Sequence, residues 1–214
     1  MHKDVRATVD SIVGGVRVMG IDIGYRKTGM CIVDVSADRL VKAVTFDNKK
    51  ADGTTAHSDF VGCWALGESI SGFIAFWRPL ALFAEIPHGG GQGARAHRCM
   101  GMATAVLSEA LRRTLRTLPF ELYTPGGVEE LLGIRITGGC AKRKGVSGKG
   151  KLRAWKKQRL EEAVIGAYPD FVEWPNTVRL KEDAVDSAAA VLAGKANGKL
   201  YAKIAGTLHA ESGR

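Results

Sequence analysis

The chain has 214 residues, 45% of them hydrophobic, which is enough for one domain with a real core. Its four cysteines, Cys31, Cys63, Cys99 and Cys140, form no CxxC pair, so neither a disulfide framework nor a structural zinc site is expected. The formal net charge is +9, and its placement says more than its size: nine Lys/Arg and no acid lie between Lys142 and Arg159, and outside that stretch 22 basic residues balance 22 acidic ones. A concentrated basic block points to a polyanionic partner, most simply nucleic acid.

Residues 1–15 read as an N-terminal arm ending in Gly14-Gly15, without the apolar centre of a signal peptide. No run of about 18 apolar residues suggests a membrane span, so the expected location is the cytoplasm, in the bacterial cytosol or nucleoid. Residues 16–24 (VRVMGIDIG) predict a strand, 25–27 a turn, and 28–35 and 40–46 two more strands of an antiparallel meander. An exposed loop over 47–55 precedes an apolar helix over 60–76, with Trp64, Phe73 and Trp77 near helical spacing, stopped before Pro79. The run PLALFAE, 79–85, suits a central parallel strand covered on both faces. After the glycine-rich loop 86–93, a helix over 94–118 carries the stripe Met100, Ala103, Leu107, Leu111 and Leu115. A strand at 120–123 and a short helix at 125–132 follow. The basic loop, 138–157, then runs into a helix ending near Tyr168. A last alanine-rich helix spans 181–193, and 195–214 is left as a polar tail. With the short helix at 125–132 left aside, the order β-β-β-α-β-α-β-α-α implies an α/β fold of the ribonuclease H-like class: a mixed five-stranded sheet, antiparallel meander plus parallel strands, with helices on both faces. The domain is expected to cover 16–194.

Four acids stand out. Asp22 interrupts the apolar strand VMGIDIG; Glu85 ends PLALFAE; Asp183 and Asp186 lie at i and i+3 on the last helix and share a face. Sites in open α/β sheets form at the carboxyl ends of strands. If the strands bearing Asp22 and Glu85 are parallel neighbours, the two carboxylates meet, and the last helix can bring the other two over them. Four converging carboxylates repel one another, and hard divalent cations relieve that repulsion. The expected cofactor is therefore Mg²⁺ or Mn²⁺, two ions per site, an arrangement suited to phosphodiester hydrolysis. Each acid also has a plainer reading, as turn former, solvated strand end or helix-dipole partner; strand order and the basic block favour the metal site.

At these residues the chain resembles the RuvC family of Holliday-junction resolvases. GIDIGYRKTGMCIV is similar to that family's opening GIDPGxxxTGYGV, FAEIPHGGGQGA to its glutamate-bearing strand end and loop, and EDAVDSAAAVLAG to its terminal helix, over residues 16–194. The resemblance implies that Asp22, Glu85, Asp183 and Asp186 are metal-binding catalytic acids, in a homodimer whose two sites cut opposed strands of a four-way DNA junction by water attack. It places SGKGKLRAWKK in the family's lysine-bearing segment, which makes Lys149, Lys151, Lys156 and Lys157 candidates for scissile-phosphate contacts. Lys142, Arg143, Lys144 and Arg95 complete the expected DNA-binding set. Ile23 stands where the family has proline, and His88, in the glycine loop, stands where it has an aromatic residue that enters the junction. With the long basic loop and the extra tail, these departures suggest a phage or mobile-element branch, with a wider range of branched DNA substrates. His88 is also a candidate for proton transfer.

Other readings of the same residues are a branched-DNA, flap or RNA–DNA hybrid nuclease of the same fold, or a DNA-junction-binding module without chemistry. An actin-like ATPase fragment, suggested by GIDIGxxxTG alone, lacks the second domain and the second phosphate loop such proteins need. No membrane partner and no nucleotide cofactor are expected.

Overall fold

The computed structural model describes residues 15–49, 55–86, 93–114, 118–136 and 148–212. Five strands, β1 (Arg17–Asp22), β2 (Lys27–Asp34), β3 (Arg39–Asp47), β4 (Ala81–Glu85) and β5 (Phe120–Tyr123), form one sheet in the order β3-β2-β1-β4-β5. The β1–β2 and β2–β3 pairs are antiparallel, while β1–β4 and β4–β5 are parallel. The helices are α1 (Ala56–Trp77), α2 (Ala94–Thr114), α3 (Pro125–Leu131), α4 (Lys149–Ala167), α5 (Val178–Asn197) and α6 (Lys199–Ser212). The mixed five-stranded sheet with helices on both faces is the one expected from the sequence, while several helix bounds differ and α6 was not expected.

Alternation along the central strands sorts the core into two layers. Met19, Ile21, Met30, Ile32, Leu82 and Ala84 face α1 and α2, meeting Leu66, Ile70, Ile74, Ala103 and Leu107. Val18, Cys31, Val33, Ala81 and Phe83 face the other way, towards α5, with Val128 of α3, Leu160 and Val164 of α4, and Tyr201 and Ile204 of α6 closing that layer.

Helix α1 starts four residues before the expected Phe60. Thr55 caps it: the Ser58 backbone N–H donates to Thr55 Oγ1 at 3.1 Å, and the Thr55 N–H donates to Ser58 Oγ at 3.0 Å. Its buried stripe is Leu66, Ile70, Ile74 and Trp77, whereas Trp64, expected on the apolar stripe, is 65% exposed. This helix has the length and apolar composition to cross a membrane, a property missed in the sequence, but its Leu66–Trp77 stripe is spent on the sheet. The helix expected over 181–193 is longer at both ends, capped by Thr177 and closed by Gly198 at φ 74°. Directly after it, residues expected to be a polar tail form α6. Glu121 on β5 anchors that turn, accepting from the Leu200 N–H at 3.0 Å and from Asn197 Nδ2 at 3.2 Å. The second half of the basic stretch, expected to be loop as far as 157, is helical from Lys149 onward.

Candidate active site

Asp22 is the last residue of β1 and lies on the face that meets α5. Parallel pairing puts it directly beside Glu85, the last residue of β4, so both carboxylates leave the same edge on the same side. Its neighbour on β2 is Gly29. The absence of a side chain there matters, because a Cβ on Gly29 would lie 1.8 Å from the Asp183 carbonyl oxygen; at Gly20, two residues before Asp22, it would lie 2.1 Å from the Ser187 carbonyl oxygen. Helix α5 therefore rests its backbone on the bare strands, and this close approach sets Asp183 and Asp186 above Asp22 and Glu85. The structure brings together all four acids singled out in the sequence.

A fifth group enters from α4. The Lys157 ammonium donates to Asp186 Oδ2, and the adjacent Lys156 donates to Glu129 on α3. A cleft of about 330 Å³ opens beside these pairs, bounded by Glu85, Glu129, Leu152, Arg153, Lys157 and Asp186. A second cleft, on the other flank of α4, also reaches Lys157 and Asp186 and is edged by Gln158, Lys181 and Glu182.

The electrostatics are those of a crowded anion cluster taken out of water. Burial pushes the Asp22 carboxyl well above the usual range; Glu85, Asp186 and Asp183 push further, while Lys157 opposes them. Burial lifts Glu85 to about 7, with Asp186 and Glu129 adding repulsion. Burial, with repulsion from Asp186 and Glu182, lifts Asp183 to about 6 against the pull of Lys27 and Lys157. Asp186 is also raised by burial, against its pairing with Lys157. Burial pulls Lys157 down, but Asp186, Asp22 and Glu85 outweigh it, and the ammonium is held more firmly than usual.

Asp183 Oδ2 and Asp186 Oδ1 are buried without a hydrogen-bond partner. Unpaired carboxylate oxygens in such a place cost free energy unless a cation meets them. As the side chains stand, no three carboxylate, thiol or imidazole groups among the described residues are disposed to grip one ion; an ammonium lies against Asp186 instead. The donor set, four carboxylates with two orphaned oxygens, is nevertheless the chemistry that hard divalent cations require.

The expected DNA-binding residues divide. Lys151 is exposed on the first turns of α4, and Lys156 and Lys157 line the cleft, although both are engaged by carboxylates. Arg95 is not brought to this site. It lies in the α1–α2 layer on the opposite face of the sheet, where its Nη2 and that of Arg98 each reach buried Asp59 at 2.7 Å. Lys142, Arg143, Lys144 and His88 lie outside the described residues, as does the Lys149 side chain. Sequence reasoning missed Glu129: in GGVEELL it is one of two adjacent acids on a short helix, with no signal distinguishing it. Among the described residues, Cys31, Cys63 and Cys99 are free thiols.

The sequence matches no protein-family model and no curated protein. Solved structures do resemble it. The Thermus thermophilus RuvC in complex with Holliday junction substrate is 17% identical, with a TM-score of 0.58 over 86% of this chain and 96% of that one. A second T. thermophilus RuvC structure gives 17% identity and 0.57 over 85% and 96%. The yeast mitochondrial Holliday junction resolvase Ydc2 gives 16% and 0.54 over 90% and 84%. The architecture of this chain is thus the ribonuclease H-like fold of the RuvC resolvases.

Proposed function

We propose that this protein is a metal-dependent endonuclease that resolves four-way (Holliday) DNA junctions by paired symmetric nicks. The observation that carries this reading is the convergence of Asp22, Glu85, Asp183 and Asp186 at the carboxyl end of β1 and β4, beneath the basic helix α4. Likeness to junction resolvases supports a junction-resolving nuclease at the level of the fold. The four acids would hold Mg²⁺ or Mn²⁺, two ions per site. When bound, these would supply charge neutralisation and Lewis-acid activation for hydrolysis of a phosphodiester. The chain's own residues bind and orient: the acids fix one edge of the cleft, and Lys151, Arg153 and Lys156 along α4 offer phosphate contacts on the other.

Cutting two opposed strands needs two such sites, and a homodimer supplies them. Phe60 and Trp64, each 65% exposed, border a groove between α1 and α2 that also includes Val106, Glu109 and Arg113. A contiguous apolar patch of this kind is a surface that a second copy can cover.

The test is cleavage of a synthetic immobile four-way junction, beside matched duplex, fork and RNA–DNA hybrid, with Mg²⁺ or Mn²⁺ and with chelator. Symmetric metal-dependent nicks, lost in Asp22→Asn while junction binding persists, are expected. Preferential cutting of fork or hybrid would keep the metal site but move the substrate. Cutting of nothing would leave a junction-binding module.

A further inference from the structure

We infer that Lys157 is a resident counter-ion of the acid cluster: its ammonium holds the site while no divalent cation is bound and yields its place when one binds. The inference rests on the metal-dependent reading above.

Lys157 stands where a cation is wanted. Its ammonium is paired with Asp186 and acts electrostatically on Asp22, Glu85 and Asp183 as well, so one positive charge serves four carboxylates. The pairing is incomplete: Asp186 Oδ1 and Asp183 Oδ2 remain buried and unpartnered. Lys27 and Arg153 add their attraction to Asp183 and Asp186 from further off, but those two buried oxygens still have no partner. Two divalent ions would match the four carboxylates charge for charge, and the ammonium would then be surplus beside two cations that repel it.

The side chain is also able to leave. It is 34% exposed, against 7% for the Asp186 side chain, and it borders both clefts flanking α4. Its backbone does not depend on the ion pair. Lys156 holds α4 to Glu129 on α3, Lys181 on α5 reaches Glu161 on α4 at 2.6 Å, and Leu160 and Val164 fix the helix in the core. A long flexible stem on an anchored helix can swing from carboxylate to solvent without unfolding its support.

The contact therefore opposes metal loading. The test is Mn²⁺ titration of the DNA-free protein, followed by calorimetry and by the electron paramagnetic resonance of free Mn²⁺, for wild type, Lys157→Met, Lys157→Gln, Lys157→Arg and, as a surface control, Lys199→Met. Both neutral variants are expected to bind Mn²⁺ roughly tenfold more tightly than wild type, because no internal cation competes. Lys157→Arg and Lys199→Met are expected to stay near wild type. Unchanged or weaker Mn²⁺ binding in both neutral variants, with native circular dichroism, would overturn the counter-ion role while leaving the metal site standing. Absence of Mn²⁺ binding in every protein, wild type included, would refute the metal-dependent reading and the counter-ion role with it. None of these readouts requires DNA cleavage.

Discussion

Gly29→Ala tests the geometry that assembles the site. The added methyl would sit 1.8 Å from the Asp183 carbonyl oxygen and 2.4 Å from its carbonyl carbon, both backbone atoms that no rotamer change can move. Restoring a contact of about 3.3 Å requires α5 to retreat from β2 by roughly 1.5 Å, given normal packing distances. Overpacking of this kind costs about 1–3 kcal/mol. The chemical cost is comparable, since a displacement of about 1 Å in a reacting constellation lowers rates roughly a hundredfold, about 2.7 kcal/mol. Gly72→Ala is the control: it lies on α1, where a Cβ meets nothing within 4 Å, and should stabilise by about 0.5–1 kcal/mol. Urea unfolding and single-turnover junction cleavage at saturating Mg²⁺ read the two effects. Wild-type stability and cleavage in Gly29→Ala would show that α5 does not rest on the strand and would refute this account of the site.

The acids make the metal-free protein pH-sensitive in a defined direction. Glu85 rises from 4.5 to about 7 and Asp183 from 3.8 to about 6 on folding, so the folded chain keeps protons that the unfolded chain releases. The stability these two groups contribute is therefore full below about pH 4 and is lost as pH climbs to 7, by on the order of 3 kcal/mol for Glu85 alone. Thermal melts with chelator should show this fall, and Mg²⁺ or Mn²⁺ should offset it at pH 8 but not at pH 4; a metal effect equal at both would contradict it. Neutralising Lys151 should weaken junction binding and lower the slope of log affinity against log salt by about one, measured by fluorescence anisotropy; an unchanged slope would remove it from the phosphate contacts. The proposed homodimer should sediment as such in wild type and as monomer in Trp64→Glu, with the circular dichroism intact; a wild-type monomer would refute the dimer, and a dimer that survives the substitution would place the interface elsewhere.

Much of the site could be read from the sequence because it depends on local pattern. A carboxylate inside VMGIDIG and another closing PLALFAE mark strand ends, and an i, i+3 spacing fixes Asp183 and Asp186 on one helical face whatever surrounds them. Residues whose role is decided by distant partners were harder to place. The helix around Trp64 is apolar on most of its circumference, so composition does not reveal its phase, and the aromatic residue that looks like core turns out to face water. Asp59 and Arg95 are 36 positions apart, and nothing local announces that a carboxylate on one helix will claim a guanidinium on the next. Lys156 and Lys157 look alike in the run WKKQR, yet one is bound to α3 and the other to α5, a division set by where α4 docks. The extent of α6 was hidden because its anchor, Glu121, lies 79 residues upstream of the amide it caps.

The four acids span the chain from residue 22 to residue 186, and the last two arrive only when α5 settles on Gly20 and Gly29. A ribosome-bound chain that has made the sheet but not yet released α5 holds two carboxylates and no complete centre. The anion cluster is thus completed only once the chain as far as Asp186 has left the ribosome. A product ending before residue 178 would carry Asp22 and Glu85 without Asp183 and Asp186, and so would assemble only half of the anion cluster.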